Sequence, residues 1–168
     1  MKLSLKNFLS IYRNFLSYGG GIERAEISLL ATESNESITF PVIPAELPEV
    51  SCEQHNDEFN SVIGDISAIG LLGLRTISLN NMLCPNDVSK YSWAKGSDGE
   101  TIINFINSHR LSDKPFRLVI CRGNNTYINM LVVIDSFTYR LDNVNDYYLN
   151  IDFKEYRRWN AETGVLES

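Results

Sequence analysis

"RLVICRGNNTYINMLVVIDSFTYRL", residues 117–141, decides the fold class of this chain. It reads as one β-hairpin with arms well beyond the usual strand of about 5–6 residues. Phe116 to Cys121 forms the first arm, and Gly123, Asn124 and Asn125 supply residues that tolerate positive φ at the turn. In the second arm Ile128, Met130, Val132 and Ile134 share one face. The apolar phase then switches to Phe137, Tyr139 and Leu141. Such a switch is the product of a β-bulge, expected at Asp135-Ser136. "DNVND" turns the chain again, and Tyr147 to Phe153 returns as a third strand. Leu149, Ile151 and Phe153 point inward there, with Asn150, Asp152 and Lys154 outward.

Upstream of the hairpin, "SDGETIINFINSHRL" carries the signature of a helix. Ser97 and Glu100 have capping-box spacing, so each can satisfy a free backbone donor at the helix start. Ile102, Ile103, Phe105 and Ile106, with His109, form the core-facing side, and Lys114-Pro115 closes the element. Earlier still, residues 25–31 and 37–43 are short strands around a polar turn at Ser34-Asn35-Glu36. Pro41, Pro44 and Pro48 lack the donor a central strand needs, so this segment is expected to run extended along an edge or over the surface. Residues 58–85 hold strand-like runs broken at Gly64, Gly70 and Gly73, the best being "LRTISL", 74–79. Weak alternation there implies burial on both sides or contact with something outside the chain.

Residues 3–18 fit an amphipathic helix, with Leu5, Phe8, Leu9, Tyr12, Phe15 and Leu16 on one apolar stripe. Gly19-Gly20-Gly21 ends it and gives a swivel. Two readings stay open: an arm hinged to the body, or an element packed on its own core. The division is then a helical arm and hinge over 1–21, a β-rich domain over 22–160 and a tail over 161–168. The expected fold class is α+β, mainly β: a sandwich or open barrel with one covering helix, the long C-terminal hairpin and its third strand.

The totals bound what such a body does. Its 168 residues suffice for one domain with a real core. A formal net charge of -6 argues against nucleic acid or anionic lipid as the main partner, since both call for a concentrated basic face. Lys2, Lys6 and Arg13, with no acid among residues 1–18, leave the remainder still more acidic. A basic arm on an acidic body can dock on its own body, on a neighbouring subunit or on a membrane surface. Cys52, Cys84 and Cys121 have no CxxC spacing and suit free thiols in a reducing compartment. Polar residues interrupt the N-terminal apolar run, so no secretory signal is expected, and no stretch approaches the roughly 20 apolar residues of a membrane span.

Motifs that carry chemistry are missing from the sequence. His55 and His109 stand far apart without ligand-like neighbours, and no nucleophile elbow, P-loop or dinucleotide fingerprint occurs. The acids, among them Glu23, Glu26, Asp57, Glu58, Asp152 and Glu155, form no pair singled out by spacing. Tyr147, Tyr148, Tyr156 and Trp159 read as core or subunit interface before they read as platforms for sugars or bases. The expectation is a non-enzyme without cofactor or metal.

The order of segments over residues 37–159 resembles a known family. "ITFPVIPAELPEVS" (38–51), "VIGDISAIGLLGLRTISLNNMLCP" (62–85) and "KPFRLVICRGNNTYINMLVVIDSFTYRLDNVNDYYLNIDFKEYRRW" (114–159) are similar to the N-terminal domain of LysM-family baseplate proteins of contractile phage tails and phage-tail-like particles. The specificity lies in the order of segments, since no single short motif is diagnostic. The resemblance implies a connector between the central hub and tube and the surrounding wedge and sheath-initiating proteins. It implies several copies around the tail axis, a place in the baseplate of a virion or tailocin, and assembly in the bacterial cytoplasm. The helix and hinge at 1–21 lie ahead of the family pattern, and the chain stops at Ser168, soon after it, so glycan binding through a LysM module is not carried over. On this reading partner contacts fall to Leu5, Phe8, Tyr12, Phe15 and Leu16 on the arm, to Asn124, Asn125, Tyr127 and Tyr139 on the hairpin, and to Trp159. A tube-initiator or distal-tail ring protein of the same machine is the runner-up, and a cell-wall glycan-binding module the alternative of another class.

Overall fold

The computed structural model describes residues 24–160 and 165–167. The arm expected over 1–21, with Leu5, Phe8, Tyr12, Phe15 and Leu16, lies outside the described residues. Eleven strands and one α-helix follow in chain order: β1 Ala25–Ala31, β2 Ser37–Thr39, β3 Val50–Ser51, β4 Asp57–Ser61, β5 Gly64–Ala68, β6 Thr76–Pro85, α1 Gly99–His109, β7 Phe116–Arg122, β8 Asn125–Leu141, β9 Asp146–Glu155, β10 Arg158–Asn160 and β11 Val165–Glu167. Seven of the strands form one antiparallel sheet in the order β2-β1-β7-β8-β9-β6-β3. The chain is thus mainly β with a single α-helix among the described residues. The sandwich alternative meets one large sheet, since the two remaining ladders, β4–β5 and β10–β11, are two-strand ribbons.

One inward face builds the core. Ile27 and Leu29 of β1, Ile77 and Leu79 of β6, Leu118 and Ile120 of β7, Met130 and Val132 of β8, and Leu149, Ile151 and Phe153 of β9 are all buried. Ile102, Ile103, Phe105 and Ile106 of α1 join them, the helix face read from the sequence. A helix about 10 Å wide spans only about two strands at their usual spacing. Phe40, with Ile43, Leu47 and Val50 packed against the core, adds cover from the segment running from β2 into β3. Three bulges raise the local twist of the sheet. One sits at Tyr127, between the Ile120↔Ile128 and Cys121↔Thr126 pairs. Another sits at Asp135, between Ile134↔Phe153 and Ser136↔Asp152, where the change of apolar phase places it. The third lies at Asn80-Asn81, where Asn81 takes φ 53 and its N–H donates to Asn150 Oδ1 at 2.8 Å.

Local details depart from the sequence reading in instructive ways. The helix cap is Asp98, whose carboxylate accepts from the Thr101 N–H at 2.9 Å. Ser97 is occupied elsewhere, because its N–H donates to the Thr39 carbonyl at 2.9 Å. With Lys95 N–H on the Pro41 carbonyl at 3.0 Å, that bond covers the β2 edge of the sheet, which would otherwise invite a foreign strand. The hairpin turn is Gly123-Asn124 alone, Gly123 at φ 57, since Asn125 already pairs with Arg122. The strand expected over 37–43 stops at Thr39, before Pro41. Beyond Asn160, within the stretch expected to be a tail, β11 pairs back on β10.

Candidate interaction surfaces

The largest departure is an arm that the sequence reading did not separate from the body. From Val50 and Ile77, partners at the sheet edge, two strands leave the sheet together. His55 N–H donates to the Leu71 carbonyl at 3.0 Å and Gly73 N–H to the Glu53 carbonyl at 2.7 Å. Beyond them β4 and β5 pair from Asp57↔Ala68 to Ser61↔Gly64. At roughly 3.3 Å per residue the tip stands at most about 30 Å from Ser51, less what the Asn56 N–H to Gln54 carbonyl turn takes up. Cross-strand partners share a face, so Phe59, Ile66 and Ala68 lie on one side of the ribbon, and Glu58, Asn60, Asp65 and Ser67 on the other. The tip carries Val62 and Ile63, which are 106% and 92% exposed. Ile69 and Leu71 nearer the root are also open to solvent. Residues 52–74 include Glu53, Asp57, Glu58 and Asp65 and neither Lys nor Arg.

A buried carboxylate fixes the root of this arm. Glu155, 2% exposed at the end of β9, accepts from Arg75 Nη2 at 2.6 Å, from the Arg75 N–H at 3.0 Å and from Arg157 Nη2 at 2.7 Å. Arg157 Nη1 also donates to the Leu72 carbonyl at 3.3 Å. Burial by itself raises the pKa of Glu155, but the hydrogen bonds from Arg75 and Arg157 outweigh it and bring the carboxyl down to about 2. A second buried carboxylate, Asp146, ties the β8–β9 turn to residues 90 and 91. It accepts from Lys90 Nζ at 3.0 Å and Tyr91 Oη at 2.8 Å, which overcome the effect of burial and lower its pKa.

A cleft of about 340 Å³ opens beside the start of β1. Its lining joins apolar Phe40, Ile43, Leu47 and Trp93 with Arg24, Lys95 and Arg122 against the one carboxylate Glu26. Arg24 donates to the Trp93 carbonyl. Glu26 Oε2 is buried without a hydrogen-bond partner, and burial pushes its pKa up against the pull of Lys95. The residues just after β2 line this cleft and continue through the prolines to β3, so they join the two ends of the sheet order.

The third surface belongs to β8. Its ladder with β7 stops at Phe116↔Val132, whereas its ladder with β9 runs on to Leu141↔Tyr147. Among the described residues no strand pairs with 133–141 on the other side. Phe137, Tyr139 and Tyr147 form a ring cluster there, with centroids 5.6 Å and 6.3 Å apart. The opposite face of the sheet is polar, laced by Arg117 to Asn129 at 2.8 Å, Ser78 to Asp152 at 2.6 Å and Arg140 over the Tyr148 ring. It is dressed for water.

Five of the residues proposed from sequence for partner contact fall among the described residues. Asn124 lies in the hairpin turn, Asn125 and Tyr127 at the start of β8, and Tyr139 near its far end. Trp159 lies on the β10–β11 ribbon and is 61% exposed. The sequence reading leaves the 52–74 arm joined to the body, because weak alternation there fits burial on both sides as well as contact with something outside the chain. The signal that marks it is local: "GDISA" alternates about a ribbon, and the apolar pair Val62-Ile63 sits at a turn, where nothing of the same sheet can cover it.

Among the described residues no cluster of three His, Cys, Asp or Glu side chains is placed to hold a metal ion, and no helix is long and apolar enough to cross a membrane. No protein-family profile matches the chain, and no curated protein matches it.

Proposed function

We propose that this chain is a structural connector of a contractile phage-tail or tailocin baseplate, joining the central hub and tube to wedge and sheath-initiating proteins. The observation that carries the reading is the 52–74 arm. A two-stranded ribbon is marginally stable in water by itself, and one that turns Phe59, Ile66, Val62 and Ile63 to solvent gains its missing burial from another protein. The four acids on the arm and the chain's charge of -6 favour a protein partner over nucleic acid or an anionic membrane. The unpaired 133–141 edge of β8, with its ring cluster, offers a second contact by strand addition. The order of segments over 37–159, which resembles baseplate connector domains, supplies the machine.

The test is to image the native particle and to repeat the assembly with residues 56–69 replaced by a short turn. The expected result is density for this chain between tube and wedge, and particles that lack it when the arm is shortened. Incorporation unaffected by loss of the arm, or a chain that never enters a particle, overturns the reading.

A further inference from the structure

The arm and the cleft complement one another. The arm offers a small aliphatic tip with acids behind it and no cation. The cleft offers apolar lining from Phe40, Ile43, Leu47 and Trp93, with Arg24, Lys95 and Arg122 among it against one acid. Opposite potentials and matching apolar surface are what steer and then hold a protein contact. We infer that the arm tip of one copy of this chain seats in the 340 Å³ cleft of the next, a head-to-tail contact between identical subunits.

The topology shows why the contact is between copies. Counting antiparallel neighbours from β1 through β7, β8 and β9 to β6 makes β1 and β6 run the same way. The ladders nevertheless set the start of β1 level with Asn125 of β8 and the start of β6 level with Val133, so the cleft and the arm root stand eight residues apart along β8 and four strands apart across the sheet. Within one chain the tip is not seated, since Val62 and Ile63 are almost wholly exposed. Tip and cleft are different patches, so the contact is heterologous. Repeated, it closes a ring or grows a filament; it does not stop at a symmetric dimer. This goes beyond the connector reading and does not depend on it.

Sedimentation of the full chain over a range of concentration tests the inference, with two variants at exposed positions. The tip variant is Val62→Asp/Ile63→Asp and the cleft variant Trp93→Ala/Arg122→Glu, each checked for its fold by circular dichroism. Wild type is expected to form species larger than a dimer that dissociate on dilution and with added salt. Each variant alone is expected to stay monomeric. An equimolar mixture is expected to form a complex that stops at two chains, because it holds one intact tip facing one intact cleft.

A second readout bypasses affinity. In a Cys52→Ser background, chains carrying Ile63→Cys and chains carrying Ala45→Cys are expected to cross-link to each other under mild oxidation, and much more weakly to themselves. Monomeric wild type at every concentration, oligomers indifferent to both variants, or a mixture that stays monomeric overturns the inference. In that event arm-dependent entry into particles would still stand as a separate result.

Discussion

Arg75 and Glu155 meet at 2.6 Å where the arm leaves the sheet, so the last residue of β9 holds the residue just before β6. The bond is doubled by the backbone, with Glu155 N–H on the Arg75 carbonyl at 2.7 Å. A flexible tether at this point would let the ribbon swing. A buried carboxylate held by two guanidinium groups makes the root stiff, so the tip is presented in a defined direction.

Glu155→Ala is expected to destabilise the domain by about 2 kcal/mol, since it leaves two guanidinium groups without their acceptor. Hydrogen exchange is expected to rise first at residues 72–75. Unchanged protection at the arm root would show that the ion pairs merely decorate it.

The pH dependence follows from the same carboxylate. The folded pKa of about 2 lies below the ordinary 4.5, so on acidification the unfolded chain takes up its proton first. The stabilisation from Glu155 is complete above the unfolded value and is lost as pH falls from 4.5 toward about 2. Asp146, also lowered, adds in the same direction, whereas Glu26, raised by burial, opposes it. Denaturation midpoints between neutral pH and pH 3 are expected to fall for wild type and to fall less for Glu155→Gln.

The arm is expected to be separable from the core. A Cβ on Gly70 would lie 1.4 Å from the His55 carbonyl oxygen, which no side-chain adjustment relieves. Gly70→Ala should therefore break the pairing between 53–56 and 70–73 and raise protease cleavage within the arm. The melting temperature of the seven-stranded body should move little. By contrast Val62→Asp/Ile63→Asp, at positions without neighbours to lose, should cost less than about 0.5 kcal/mol.

The three thiols are expected to react in sequence. Cys52 is exposed, whereas burial pushes the Cys84 thiol up to about 12 and also raises Cys121, which the charge of Glu26 raises further. A thiol reagent at mildly alkaline pH should modify Cys52 at once, Cys121 slowly and Cys84 only on unfolding. Mass spectrometry of the modified peptides reads the order directly, and early labelling of Cys84 would contradict its place in the core.

Sequence alone determined the elements whose signals are local. The alternation in 117–153 set the β7–β8–β9 meander and placed one of its two bulges at Asp135-Ser136, because side chains in a strand take opposite faces in turn and an extra residue has to shift the phase. The spacing of Ile102, Ile103, Phe105 and Ile106 set the inner face of α1 in the same way. What sequence left undecided was which apolar runs find partners within the chain. "LRTISL" and "VIGDISAIGLL" look alike as strings, yet Ile77 and Leu79 are covered by β9 and the core while Ile63, Ile69 and Leu71 are not. That difference depends on neighbours far apart in sequence: Arg75 fixed to Glu155, and Thr39 and Pro41 capped by residues 95–97. Only the folded chain assembles them, and only it shows where apolar surface is left over for another molecule.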